Sequence, residues 1–348
     1  MTEAIRKNFA SDNIAPVCPE VMAALSRVNE GSAPAYGEDS ETQRLSTCME
    51  ECFGAPVWVF PVATGTAANS LALSAATAPF GAVICDQSAH IANDEGGAPE
   101  FFMHGARLMP LPSSDGRMDP VALDRALIAN AGGGVHTSPI QTLSLTQSTE
   151  WGTIYTLDHL KALTTRAREA GLATHLDGAR LGNAIAALGC APADVTWKAG
   201  FDMVSFGGTK NGAMAAEAVL IFREDLAQNF SRRIKRSGHL WSKQRYLSAQ
   251  LVALLENGLW LRHSAHANTM AQRLAHGLRR HPAASLPFEV QSNEVFVVLP
   301  ERTVEELEAQ GFEFYRWATP PGIEGVLIRF VTCWATEARD VDHLLDAL

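Results

Sequence analysis

Ser205-Phe206-Gly207-Gly208-Thr209-Lys210-Asn211-Gly212 closes a short apolar run, Phe201-Asp202-Met203-Val204, that reads as a buried strand. Paired glycines let the chain turn sharply and let another molecule approach the backbone closely. A lysine held in such a turn, at the end of a buried strand, suits covalent attachment of an aldehyde to its amine. The same turn also fits an ordinary solvated lysine, since glycine-rich turns are common on surfaces. Residues elsewhere in the chain bear on that choice.

Immediately upstream, 172–177 reads as a strand ending in Asp177, followed by Gly178-Ala179-Arg180. A carboxylate at the end of a buried strand is costly without a cationic or hydrogen-bonding partner. A protonated ring nitrogen is one such partner; a helix start capped by the Asp is the other reading. Farther back, the apolar strand 57–62 runs into Ala63-Thr64-Gly65-Thr66-Ala67-Ala68-Asn69 and an Ala/Leu-rich helix through Ala76. Strand, small-residue turn and helix together aim free N–H groups and a positive dipole end at a phosphate, unless the turn is merely tight. The spacing is neither a Walker loop nor a GxGxxG fingerprint. A third strand, 81–86, is followed by His90 and then by Asn93-Asp94-Glu95. At the carboxyl edge of an α/β sheet, where ligands bind, a flat imidazole can stack on a flat cofactor; it can equally be a solvated loop residue.

The 348 residues, 47% of them hydrophobic, are enough for one large domain and a smaller one. A net charge of −10 argues against a general nucleic-acid binder. No apolar run reaches the length of a membrane span, and 1–7 has no apolar signal core. The six cysteines are scattered. Cys48 and Cys52 stand at helical spacing without a second Cys/His pair, so no metal is expected and a reduced, cytoplasmic setting is the default. Strands at 106–111 and 141–147 alternate with helices at 119–128 and 156–170, which predicts an α/β fold with a mostly parallel sheet sandwiched by helices. A strand at 217–222 and a helical stretch over 225–277 lead to strand, helix, strand, helix, a small α+β domain. The expected organisation is an N-terminal segment 1–18, a large domain 19–250 and a small C-terminal domain 251–348.

Taken together, these stretches resemble the pyridoxal-phosphate enzymes of the aspartate-aminotransferase fold, fold type I. More narrowly they resemble the low-specificity L-threonine aldolases of the β-eliminating lyase group. Seven short matches in order carry the resemblance: Phe9-Ala-Ser-Asp-Asn, Tyr36-Gly-Glu-Asp, Ala63-Thr-Gly-Thr-Ala-Ala-Asn, Ser88-Ala-His-Ile, His175-Leu-Asp-Gly-Ala-Arg-Leu, Gly207-Gly-Thr-Lys-Asn-Gly and Ile328-Arg-Phe-Val-Thr. The resemblance implies that Lys210 forms the Schiff base with pyridoxal 5'-phosphate, that Asp177 keeps the ring nitrogen protonated and that Arg180 faces the ring hydroxyl. It implies that His90 stacks on the ring, that Gly65 and Thr66 cradle the phosphate, and that Ser11 and Arg329 hold the substrate carboxylate. Tyr36 would line the site of a neighbouring subunit in a homodimer or homotetramer with shared sites. Among the basic residues of 232–245, Lys243 is the expected phosphate contact.

The implied activity is retro-aldol cleavage of L-threonine, L-allo-threonine and related β-hydroxy-α-amino acids such as phenylserine, giving glycine and an aldehyde. Another pyridoxal-phosphate β-eliminating lyase, or a non-catalytic α/β binding protein, is the alternative. Many relatives carry a Thr-His-Asn-Gly stretch after the strand that matches 143–146; here the chain reads Gln147-Ser148-Thr149-Glu150-Trp151-Gly152. The base for the β-hydroxyl is therefore expected to be His90 or a water it positions, with Glu95 and Glu150 as the other candidates. Trp151 either lines an aldehyde pocket or packs as a core indole.

Overall fold

Seven strands form the central sheet: β1 (Trp58–Val62), β2 (Ala82–Asp86), β3 (Arg107–Leu111), β4 (Ile140–Thr146), β5 (Ala173–Gly178), β6 (Met203–Gly207) and β7 (Glu217–Ile221), in the order β1-β7-β6-β5-β4-β2-β3. This computed structural model describes residues 6–319 and 324–348. Residues 1–5 of the expected N-terminal segment, and with them most of the stretch read as lacking a signal core, lie outside the described residues. β2 through β6 pair in parallel, as their spacing by helices requires, whereas β7 runs antiparallel to both β1 and β6. That reversal brings Glu217, the first residue of β7, opposite Gly207, the last residue of β6. No described helix is long and apolar enough to cross a membrane.

The helix Gly65–Ala76 has small residues on every side, and Ala67 through Ser74 are all buried. A helix apolar all round belongs inside, and this one packs on strands of the sheet with its start at their carboxyl edge. Thr64 caps it, its hydroxyl accepting the N–H of Ala67 at 3.2 Å. The amphipathic helices Ser40–Phe53 and Leu157–Glu169 start with equivalent caps from Asp39 and Thr156. Such caps contribute about 1 kcal/mol each.

A second sheet, antiparallel throughout, orders β8 (Glu294–Leu299), β10 (Val326–Val331) and β9 (Tyr315–Trp317) as β8-β10-β9. The sequence reading has no β9, because its three residues lack a buried alternation; Tyr315 and Arg316 are exposed and only pairing with β10 makes it a strand. The twenty-residue helix Leu259–Leu278 joins the two parts. Leu259 and Trp260 belong to the core under the large sheet, while Met270, Ala271, Leu274, Ala275 and Leu278 pack with β8 and β10. The change of core thus comes midway along this helix, and residue 250 lies within the preceding helix Arg245–Leu255, which is buried in the large core. The N-terminal segment crosses between the two: Phe9 packs on Phe330 in the small core, and Cys18 joins the large one.

Candidate active site

The carboxyl ends of β5 and β6, the start of β7 and the start of the helix Gly65–Ala76 surround one cavity of about 410 Å³. Lys210, Asp177, His90, Gly65 and Thr66 all line it, together with Asn69, Glu95, Glu150 and Glu217. Residues separated by more than a hundred positions are thus brought to one wall by the parallel topology, which gathers strand ends on a single edge.

Lys210 sits in a one-turn 3₁₀ segment, Thr209–Asn211, directly after β6. The glycines are needed here for space. A Cβ on Gly208 would lie 2.5 Å from the Ala216 carbonyl oxygen, and one on Gly207 2.6 Å from that of Ala179. Gly212 ends the turn at φ +111°, a conformation side-chain-bearing residues rarely adopt. Among the described residues the Lys210 ammonium has no hydrogen-bond or ion-pair partner.

Asp177 is buried at the end of β5. Its Oδ1 accepts the N–H of Ala179 at 3.0 Å and its Oδ2 accepts from Asn69 at 2.9 Å. The same Asn69 amide donates to Glu95 Oε1 at 2.8 Å, and Glu95 Oε1 lies 2.9 Å from His90 Nδ1. A chain of side chains therefore runs Asp177–Asn69–Glu95–His90. The hydrogen bond with Glu95 holds His90 above the usual imidazole range, against the opposing effect of its partial burial. Burial in turn raises Glu95, with His90 and Asn69 pulling it down. Beneath Asp177, His175 is fully buried between the hydroxyls of Ser144 at 2.9 Å and Ser205 at 3.0 Å. Burial pushes its pKa down to about 4, so it is neutral.

The remaining expected residues lie outside the cavity wall. Arg180 is buried behind it, with Nε 2.8 Å and Nη2 3.1 Å from the Asp12 carboxylate and Nη1 3.3 Å from Glu294. Burial alone would raise Asp12, but Arg180, Lys210 and the hydrogen bonds from Arg180 and Asn293 bring it down to about 2. Arg329, on β10, donates to Glu294 at 3.2 Å and to the Ala10 carbonyl at 3.3 Å, and its guanidinium lies over the Trp317 ring at 4.8 Å. Its buried Nε has no acceptor among the described residues. Ser11 caps the turn Asp12–Ile14 through the N–H of Asn13 at 3.1 Å. Tyr36, at φ 60°, is half exposed on the outer surface with Lys235 over its ring, and Lys243 is exposed nearby. Arg232, Arg233 and Arg236 line a separate cavity beside Ser74. After β4, Glu150 reaches the cavity wall, whereas Trp151 packs against Phe288, Phe296 and Trp317 as a core indole.

Four residues of this assembly are given no role by the sequence: Asn69 and Asp12, which stand within the matched stretches, and Glu217 and Glu294. Two of them left a signal. Glu217 and Glu294 are single acids at the starts of apolar strands, where a charge is out of pattern.

Comparison with known proteins places these features in a family. The β-eliminating lyase family matches residues 8–302. The low specificity L-threonine aldolase of a Pseudomonas species is 42% identical over 338 residues, 97% of this chain and 96% of that protein. The solved threonine aldolase of Leishmania major superposes with a TM-score of 0.92 at 29% identity, covering 98% of each chain. A serine palmitoyltransferase variant from S. paucimobilis, solved with a bound PLP–myriocin aldimine, is 16% identical with a TM-score of 0.71 over 98% of this chain and 85% of that one; at this distance it shares the fold alone. The chain belongs to the β-eliminating lyase family and has the architecture of the pyridoxal-phosphate enzymes of fold type I.

Proposed function

We propose that this chain is a pyridoxal-phosphate-dependent aldehyde-lyase that cleaves L-threonine between Cα and Cβ to glycine and an aldehyde, and accepts L-allo-threonine and phenylserine as well. One observation carries this reading: Lys210, Asp177, His90 and the start of the helix Gly65–Ala76 all face the same cavity. The residues fit the cofactor. The first-turn N–H groups of Gly65 and Thr66 have no acceptor among the described residues, and a Cβ on Gly65 would meet open space. A phosphate at that helix start would satisfy both amides. Lys210, without a partner among the described residues, is available to the aldehyde carbon.

Bound there, pyridoxal phosphate supplies the electron sink for the pair released when the Cα–Cβ bond breaks. Asp177, held by Ala179 and Asn69, would keep a proton on the ring nitrogen. His90, on the cavity wall, would stack on the ring. With its Nδ1 committed to Glu95, its Nε2 takes the β-hydroxyl proton, directly or through one water. Arg329 and Ser11 would hold the substrate carboxylate and so orient the Cα–Cβ bond for cleavage. The unpartnered Nε of Arg329 supports that role, since a buried donor without an acceptor is otherwise unfavourable. Arg180, locked by two carboxylates, steadies the ring-hydroxyl side of the site. The surface positions of Tyr36 and Lys243 fit contact with the cavity of a neighbouring subunit in a cytoplasmic homodimer or homotetramer.

The test is the visible spectrum of the purified protein, before and after borohydride, beside Lys210→Ala. The expected result is a band that borohydride removes and that the variant lacks, with glycine and acetaldehyde formed from threonine. Pyruvate and ammonia in place of glycine would assign a β-elimination instead. No band after resupply of pyridoxal phosphate would leave the chain as a binding protein.

A further inference from the structure

The beginning of β7 carries a buried acid that none of the roles above uses. Glu217 is 6% exposed and lines the Lys210 cavity. Its two carboxylate oxygens accept the backbone N–H groups of Gly208 at 2.9 Å and Thr209 at 3.3 Å. The Thr209 hydroxyl in turn accepts the N–H of Ala216 at 3.3 Å. On the far side of Lys210 the backbone is held as well. His263 Nδ1 binds the Asn211 carbonyl at 2.9 Å, Asn211 Nδ2 donates to the Trp260 carbonyl at 2.8 Å, and the Gly212 carbonyl accepts the N–H of Cys18 at 2.9 Å. Lys210, unpartnered among the described residues, thus stands between two anchored stretches of backbone.

An apolar residue at position 217 would fill the same strand position without burying a charge, and the two N–H groups it left would lie beside the cavity. Burial pushes the Glu217 carboxyl up to about 7, while the hydrogen bonds from Thr209 and Gly208 and the charge of Lys210 pull it down. Above that pH the cavity wall carries a negative charge next to the lysine turn. The other titratable groups around Lys210 are His90, Glu95, Glu150 and Asp177 on the cavity wall, and Asp12 behind it.

We propose that Glu217 is a positioning residue for Lys210: it fixes the Gly208–Thr209 backbone that delivers the amine to the cavity, and its charge favours the protonated form of the lysine–cofactor link. This rests on the reading of Lys210 as the cofactor-binding lysine. The experiment reloads wild type, Glu217→Gln and Glu217→Asp with pyridoxal phosphate, then measures cofactor affinity and titrates the visible band from neutral to alkaline pH. Glu217→Gln removes the charge and one acceptor. Its band should lose the protonated form at a pH lower by about one unit, because an opposite charge at close range shifts a pKa by about that much or more. Glu217→Asp keeps the charge but is too short to reach both N–H groups. Its band midpoint should stay near wild type while cofactor affinity falls several-fold. The Asp variant decides the question if the Gln variant does not fold. Variants that match wild type in both midpoint and affinity would overturn the proposal while leaving Lys210 in place. A wild-type protein with no band would overturn the cofactor reading, and this proposal with it.

Discussion

Two charged regions lie side by side at the carboxyl edge of the large sheet, and they are built in opposite ways. In the first, Asp12, Arg180, Glu294 and Arg329 are buried and joined to one another, with Asn293 donating to Asp12 at 3.0 Å. This cluster ties the N-terminal segment, the large domain and β8 and β10 of the small domain together. In the second, Lys210 has no partner among the described residues, Asp177 and Glu95 share one amide of Asn69, and Glu217 is bound to the Gly208–Thr209 turn. A buried charge left unpaired is unstable unless something else answers it. Apart from the buried Nε of Arg329, the first region is answered within the protein, so its main task is to hold segments in place. The second is left to be completed by a ligand.

If that contrast is correct, its sharpest break is at Lys210. Lys210→Ala should lower aldehyde release from threonine by about four orders of magnitude or more, as expected when a covalent group is lost. The urea midpoint of the cofactor-free protein should stay close to wild type, since no internal partner is lost. A large drop in stability would place Lys210 in the first kind of region.

Arg180→Ala should behave the other way. Removing one member of a buried ion cluster leaves the others uncompensated and costs about 3–5 kcal/mol. Equilibrium urea unfolding would read this, and Arg180→Ala/Glu294→Gln should lose less than the two single losses added together. A change below about 1 kcal/mol would mean that the cluster holds nothing.

The pH dependence of stability sharpens the comparison further. Glu217 has a folded pKa raised from 4.5 to about 7. Its contribution is therefore complete below pH 4.5 and is lost as pH rises through 7, about 3 kcal/mol in all for the cofactor-free protein. His175, lowered from 6.5 to about 4, contributes fully above pH 6.5 and loses that contribution as pH falls through 4. The two windows overlap and oppose each other. The Glu217 part should therefore be read as the difference between wild type and Glu217→Gln in urea titrations across the range. A difference independent of pH would remove Glu217 as a titrating buried group.

The smallest effect is expected at Asn69. Asn69→Leu leaves both Glu95 and Asp177 short of a donor inside the wall, a loss of about 1–3 kcal/mol. The pH profile of aldehyde release should shift with it, because Glu95 then answers to His90 alone. An unchanged profile would separate His90 from the chain that reaches Asp177.

Much of this was legible one element at a time. The apolar run before Gly207, the acid at the end of β5 and the Thr-Gly-Thr turn before a small-residue helix each carry a local pattern, and the structure has strands and a helix at those places. Periodicity reports whether a segment is buried and turn residues report where it ends. Neither reports which segment lies beside it. The reversal of β7, the strand β9 and the position of the core change along Leu259–Leu278 are properties of pairing, and no short stretch contains them. The same division runs through the active site. Lys210 and Asp177 announce themselves because a charged residue closes an apolar strand. Glu217 breaks the pattern just as visibly, yet its target is a pair of N–H groups on the neighbouring strand's turn. Asp12 meets Arg180 across 168 positions, and Asn293 meets Asp12 across 281. The sequence alone determined which chemical groups stand at the ends of which elements. Only the tertiary structure decided which charges are answered inside the protein and which face the cavity, because the free energy of a buried charge depends on partners that distant segments supply.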